Sequence, residues 1–374
     1  MHQRVSQVKN FIGQYNYASV LSVEVRQYLA SQKQMGAGDR RLFKHLLYSY
    51  FRLAAIYDIE LNEANILYCA RYFKSSFNHL FEKWHKDGMD VNDWILQLKS
   101  RTHFDELMGF VSKSIDIKKF TQAVLEQPAV FIRVKPKFLE LVLGQLTEQG
   151  VLFELTDLAG CVQIKDGSKL EKALTSFKHA YEVQDKASQT ISSFFEPSAG
   201  QKWLDACAAS GGKSLALLEK EKNIQLHVND VRENILQNLR LRVLEAGYPM
   251  PHITHYDFSK PVALLHHSFN HIIADVPCTG SGTWARTPEH FHFFNMERIK
   301  KFAELQFQIL SNTSKMLMPA GKLFYITCSI FEEENEGVVR KFLGANPFEL
   351  LSQEYILGSE WKGDCMFFSI LSKN

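Results

Sequence analysis

At 374 residues the chain exceeds what one hydrophobic core usually serves, so two or three domains are expected. Its 45% hydrophobic and 22% charged content is that of an ordinary soluble globular protein, and no apolar run is long enough to span a bilayer. The formal net charge of +2 does not identify a nucleic-acid partner, although nucleic-acid enzymes need only a local basic surface. Arg4 and Lys9 interrupt any early apolar run, so no signal peptide is expected and the location is read as cytoplasmic. The six cysteines, Cys69, Cys161, Cys207, Cys278, Cys328 and Cys365, include no Cys-x-x-Cys pair. Neither a metal site nor a disulfide framework is expected, and the thiols are left for chemistry.

Residues 1–115 read as an all-helical domain. Leu42, Phe43, Leu46, Leu47, Tyr50, Phe51 and Ala54 recur at helical spacing, with Asp39 where an N-cap would sit. Tyr68, Tyr72, Phe73, Phe77, Phe81, Trp84 and Trp94 are dense enough to suggest stacking on RNA bases. Aromatics at helical spacing are more often core, and that reading is preferred. Arg40, Arg41 and Lys44 form a basic helix start that suits either phosphate contact or an ordinary solvated end.

Residues 116–180 read as a small α+β module. Ala129–Val134 is a strand, Lys137–Gln149 an amphipathic helix ended by Gly150, and Val151–Leu155 and Cys161–Ile164 two further strands. From Lys99 through Lys137 there are eight basic residues (Lys99, Arg101, Lys113, Lys118, Lys119, Arg133, Lys135, Lys137) against four acidic ones. Such an excess beside a small sheet suits contacts to an RNA backbone.

Residues 181–374 alternate strand and helix, the pattern of a doubly wound, mostly parallel sheet. The first strand, Lys202–Asp205, runs into Cys207, Ala208, Ala209, Ser210, Gly211, Gly212 and Lys213, a small-residue turn ahead of a helix start. Loss of side-chain bulk there lets the backbone approach a ligand, with the helix N-terminus pointing at it. The second strand, Ile224–Val228, precedes Asp230, placed to accept both hydroxyls of a ribose. A third, Ile253–His255, precedes Asp257, placed to receive an adenine amino group. Cys207 stands where a P-loop needs glycine, and the Gly-x-Gly-x-x-Gly fingerprint is missing. An adenosine ligand without pyrophosphate fits, and S-adenosylmethionine is the common one. Two later apolar strands each end at a cysteine, in Asp275-Val276-Pro277-Cys278 and Thr327-Cys328-Ser329.

Gln184-Asp185-Lys186-Ala187-Ser188-Gln189, the Asp205–Lys213 turn, Asp275–Thr283 with Arg286 and Pro288-Glu289, and Thr327-Cys328-Ser329-Ile330 with Glu334-Asn335-Glu336 together resemble the Sun/Fmu (RsmB-type) RNA cytosine-5 methyltransferases. The resemblance covers about residue 128 to the end, including Gly363–Phe368. It is looser in the first third, where Gly38-Asp39-Arg40-Arg41 is similar to a stretch of a NusB-like domain. It implies a Rossmann-like class I methyltransferase domain, preceded by an RRM-like RNA-holding module and a helical domain. It further implies S-adenosylmethionine as cofactor and RNA as partner, with ribosomal RNA ahead of transfer RNA; a monomer is expected.

By the same resemblance Cys328 is the attacking nucleophile, Cys278 assists breakdown of the covalent adduct, Asp275 hydrogen-bonds the cytosine edge and Lys213 lies near the reacting base. Cys207 through Lys213, Asp230, Asp257 and Asp275 border the cofactor, and Arg286 holds the loop or the RNA. Two thiols fit this chemistry, because adding a thiolate to C6 makes the ring enamine-like and C5 nucleophilic. For either cysteine alone, a small buried hydrophobe is the ordinary reading. A binding-only assembly factor and a DNA enzyme attacking through Cys278 are the rivals. Ser210 stands where the family usually has proline.

Overall fold

The computed structural model describes residues 1–17, 20–73, 75, 77–82, 90–98, 102–261 and 269–374. Trp84, Lys99 and Arg101 lie outside the described residues. The chain forms two compact units. One comprises Met1–Gly109, Ile117–Glu126 and Trp284–Asn295; the other comprises Phe110–Asp116, Gln127–Thr283 and Met296–Asn374.

The first unit is helical, with its longest helix at Ala37–Ala54. Leu42, Phe43, Leu46, Leu47, Tyr50, Phe51 and Ala54 are all buried, as their spacing requires. Asp39 is not the N-cap: Gly36 holds that place, and Asp39, in the first turn, pairs with Arg4 at 3.0 Å. Arg40 is spent on main chain, donating to the carbonyls of Leu29, Met35 and Gln32. Phe81 and Trp94 are core, while Tyr68, Tyr72, Phe73 and Phe77 are half-buried. The segment Trp284–Asn295 is sewn into this unit. Trp284 stacks on Phe291 at 4.1 Å, and Arg52 donates to the Ala285 carbonyl at 2.9 Å.

The second unit contains two sheets. The smaller is antiparallel, β1 (Val130–Val134), β2 (Phe153–Leu155), β3 (Cys161–Ile164) and β4 (Tyr181–Val183), in the order β2-β3-β1-β4. The helix Leu139–Glu148 lays Val142 and Leu146 on Ile132, Val134, Val162 and Ile164. It ends in a Schellman turn: Gly150 is left-handed at φ +62°, its N–H donates to Thr147 and that of Val151 to Leu146. Val151 is therefore a capping residue, and the strand expected from it begins at Phe153.

The larger sheet has seven strands: β5 (Lys202–Asp205), β6 (Gln225–Asn229), β7 (His252–Thr254), β8 (Phe269–Asp275), β9 (Leu317–Thr327), β10 (Phe348–Ile356) and β11 (Met366–Lys373), in the order β10-β11-β9-β8-β5-β6-β7. β7, β6, β5, β8 and β9 pair parallel; β11 runs antiparallel to β9 and β10. Ile273 and Phe324 point to one apolar core, and Ile272, Ala274, Leu323 and Tyr325 to the other, which explains the near-continuous apolar runs. Helices Gly212–Lys220 and Glu233–Ala246 cover the first face, Glu297–Thr313 and Val338–Ala345 the second. This is a Rossmann-like, doubly wound fold. The chain winds outward from β5 to β7 and returns to β8 on the other side of β5, so a crevice opens at the carboxyl ends of these two strands. No helix among the described residues is long and apolar enough to cross a membrane.

Candidate active site

The turn after β5 is shaped by backbone constraints. Ala209 and Gly211 both have positive φ, +47° and +86°, and a Cβ on Gly211 would lie 2.9 Å from Leu239 Cγ. Glycine is thus required twice over at position 211, by conformation and by space. Asp205 is buried at the strand end, where its Oδ2 accepts from Ser214 Oγ at 2.6 Å and its Oδ1 has no protein partner. Burial pushes its carboxyl up to about 7. Asp230 accepts from the Ala209 N–H at 3.0 Å, tying this turn to the end of β6. Its oxygens also receive Arg232 Nε at 2.9 Å and Nη2 at 3.0 Å. Burial alone would raise the Asp230 carboxyl, but the Arg232 guanidinium and the backbone donors outweigh it and lower it.

Ser210 is held where a proline would have stiffened the turn. Arg242 Nη1 donates to Ser210 O at 2.6 Å and to Ser210 Oγ at 2.8 Å, while its Nη2 pairs with Glu182 of β4 at 2.5 Å. Asn229, which the sequence did not single out, donates to Ala206 O and Tyr256 O and accepts from the Tyr256 N–H, so it joins the ends of β5, β6 and β7. Asp257 is exposed, and accepts from Ser259 and pairs with Lys260 at 3.3 Å.

Two pairs of candidate reacting groups are brought together. Lys213, in the first turn of its helix, donates to Asp275 Oδ2 at 2.6 Å, at the end of the adjacent β8. Its Nζ also reaches Ser188 Oγ at 3.4 Å. Ser188 in turn accepts from Gln184, which accepts from Arg133, a chain that the Gln184–Gln189 motif alone does not reveal. Cys278 and Cys328 lie past the ends of β8 and β9 with their sulfurs 3.3 Å apart. The adjacency follows from register: Asp275 sits opposite Ile326, and the Val276 N–H donates to Ile326 O. The Cys328 contact, and burial after it, push the Cys278 thiol well above its ordinary value. Arg286 falls in the Trp284–Asn295 segment of the helical unit.

The basic residues expected to touch RNA divide. Arg133 and Lys135 turn inward, Arg133 to Glu219 at 3.2 Å and Lys135 to Ala246 O at 2.7 Å, with the Lys135 ammonium over the Tyr248 ring. They bind the small sheet to the helices that cover the large one, whereas Lys137, in the turn Pro136–Phe138, is exposed.

Residues 192–360 match the family model described as 16S rRNA methyltransferase RsmB/F. The chain is 37% identical over 169 residues to ribosomal RNA small subunit methyltransferase B of Shewanella oneidensis, an alignment covering 44% of this chain and 38% of that protein. The chain thus spans less than half the length of this curated relative. Among solved structures, PH0851 superimposes with a TM-score of 0.72 at 20% identity over 93% of each chain. NSun6 from Pyrococcus horikoshii with SFG does so with a TM-score of 0.60 at 16% identity, over 68% of this chain and 94% of that one. At such identities these two speak for the fold alone. Shared sequence and shared fold agree: through residues 192–360 the chain is similar to the RsmB/F methyltransferases.

Proposed function

We propose that the protein is an S-adenosylmethionine-dependent RNA cytosine-5 methyltransferase acting on ribosomal RNA, as a cytoplasmic monomer. The observation that carries the reading is the pair of thiols 3.3 Å apart, past the ends of the strands neighbouring the Lys213–Asp275 pair. One thiol of such a pair has an ordinary structural reading; two converging on one crevice do not.

The turn and strand ends fit S-adenosylmethionine. The unpartnered, buried Asp205 Oδ1 and the Asp230 carboxylate offer acceptors around a turn stripped of side-chain bulk. Residues 207–213, Asp230, Asp257 and Asp275 would hold the cofactor, which when bound supplies an electrophilic methyl group. Cys328 as thiolate adds to C6 of cytosine and makes C5 nucleophilic. Asp275 hydrogen-bonds the base edge and is itself oriented by Lys213. Cys278, whose raised value keeps it protonated at neutral pH, is in the state suited to a proton-handling role when the C5 proton leaves and the Cys328 adduct breaks. The target base must leave its stack to enter the crevice, so unpaired or locally opened RNA is the substrate, and the small sheet of residues 116–180 helps to hold it.

The test is transfer of labelled methyl from S-adenosylmethionine to ribosomal RNA lacking the modification. Label at cytosine C5 should be lost in Cys328→Ala and replaced by a trapped protein–RNA adduct in Cys278→Ala. Undiminished transfer by Cys328→Ala would overturn the assignment.

A further inference from the structure

Cys278 and Cys328 leave different strands, so neither local sequence sets the distance between their sulfurs. Strand register brings the two strand ends side by side, and beyond them one carboxylate ties the residues that follow both cysteines. The π-helical turn Glu333–Gly337 directs two consecutive side chains, Glu334 and Asn335, into the interior, where both are fully buried. Glu334 Oε1 accepts from the Thr279 N–H at 2.9 Å and from Gln306 Nε2 at 2.9 Å. Its Oε2 accepts from Thr279 Oγ1 and Ser329 Oγ, each at 2.5 Å. Thr279 follows Cys278 and Ser329 follows Cys328. Gln306 Nε2 also donates to the carbonyl of Pro277 at 3.0 Å, so Cys278 is gripped on both sides from one node. Asn335 does the same for Cys328, accepting from Thr327 Oγ1 at 2.5 Å and donating to Ser329 O at 2.8 Å.

A carboxylate at this depth is costly, and an apolar junction of the same volume would serve stability at least as well. What a fully satisfied carboxylate adds is direction: four donors from three elements must meet two fixed oxygens. We propose that Glu334 is a positioning residue of the reaction, holding the nucleophilic and the adduct-resolving thiols at their working separation. The proposal rests on the two-thiol reading above only for what the separation is used for; the positioning itself can be measured without catalysis.

The experiment is oxidative cross-linking of the full chain with an azodicarboxamide, which takes both thiol hydrogens and is reduced to the hydrazine as the Cys278–Cys328 S–S bond forms. The bond is identified by peptide mass mapping, and its rate is compared in wild type and Glu334→Gln. A rate lower by about tenfold or more is expected in the variant, with kcat for methyl transfer reduced by up to roughly 100-fold and KM for S-adenosylmethionine unchanged. Ser329→Ala and Thr279→Val, which each delete one hydroxyl donor, should slow cross-linking by a smaller factor and serve if Glu334→Gln does not fold. Cross-linking at the wild-type rate in all folded variants would overturn the proposal. Cross-linking that depends on Glu334 in a protein that transfers no methyl would instead sink the functional reading and leave the positioning intact.

Discussion

Arg232 and Arg242 both act on the turn after β5 and do opposite things. Arg232 is more than half exposed and closes both oxygens of Asp230, the acid assigned to the ribose. A ribose can take those oxygens only by displacing the guanidinium. Asp230 is buried but the guanidinium to be displaced is exposed, and displacing it costs about 0–1 kcal/mol, so Arg232→Ala should tighten S-adenosylmethionine binding by roughly twofold to fivefold in a calorimetric titration. Weaker binding would mean that Arg232 itself touches the ligand. Arg242 supports the turn, and its removal strips Ser210 of two charge-assisted hydrogen bonds and leaves Glu182 without its partner. Arg242→Ala should therefore raise the dissociation constant for the cofactor by about 5- to 30-fold, from about 1–2 kcal/mol of lost orientation. The same titration checks it. Sequence reasoning could name Ser210 as a departure but not its support, because Arg242 lies on another helix and Glu182 on another sheet.

Among the elements, β5, β8 and β9 were legible because both of their faces are buried, which produces apolar runs that end in polar residues. The extent of β7 was less so: it is short and half-exposed, and it ends at Thr254 rather than His255. Gly282 shows what pairing between elements demands. Its N–H donates to Cys328 O at 2.8 Å, its carbonyl accepts from the Cys365 N–H at 2.9 Å, and a Cβ there would sit 1.9 Å from Cys365 O. The loop after Cys278 is thereby clamped between the exit of β9 and the entry to β11. Gly282→Ala must force that clamp open, and a loss of about 3 kcal/mol in denaturant unfolding is expected, with methyl transfer falling alongside. An unchanged unfolding midpoint would show that the loop can shift without cost.

At the scale of the molecule, the excursion Trp284–Asn295 carries a buried acid into the helical unit. Glu289 is only 2% exposed, its Oε2 has no partner, and burial raises its carboxyl from 4.5 to about 7, against a smaller lowering by Arg52. A carboxyl raised on folding binds its proton more tightly in the native state. The stability this contributes is fully present below about pH 4.5 and is lost as pH rises through about 7. The loss amounts to roughly 3 kcal/mol at most. Glu289→Gln keeps the neutral shape at every pH, so its unfolding temperature should fall less than that of wild type between about pH 5 and about pH 8. Parallel pH profiles would show that Glu289 is ionised in the native state throughout.

The doubly wound sheet and the cysteines at two strand ends were legible in the sequence, because apolar runs and small-residue turns are local properties written in consecutive residues, whereas the helical unit also draws in Trp284–Asn295, which no local pattern marks. Tertiary structure alone decided which groups meet. Lys213 finds Asp275 from 62 positions away, Cys278 finds Cys328 from 50 and Thr279 finds Glu334 from 55. It also decided that Arg133 and Lys135 face inward, since a basic count carries no information about which face of a strand is covered. The physical reason is one throughout: strand order and register, set by the competition of many buried side chains for two shared cores, fix distances that no short stretch of chain encodes.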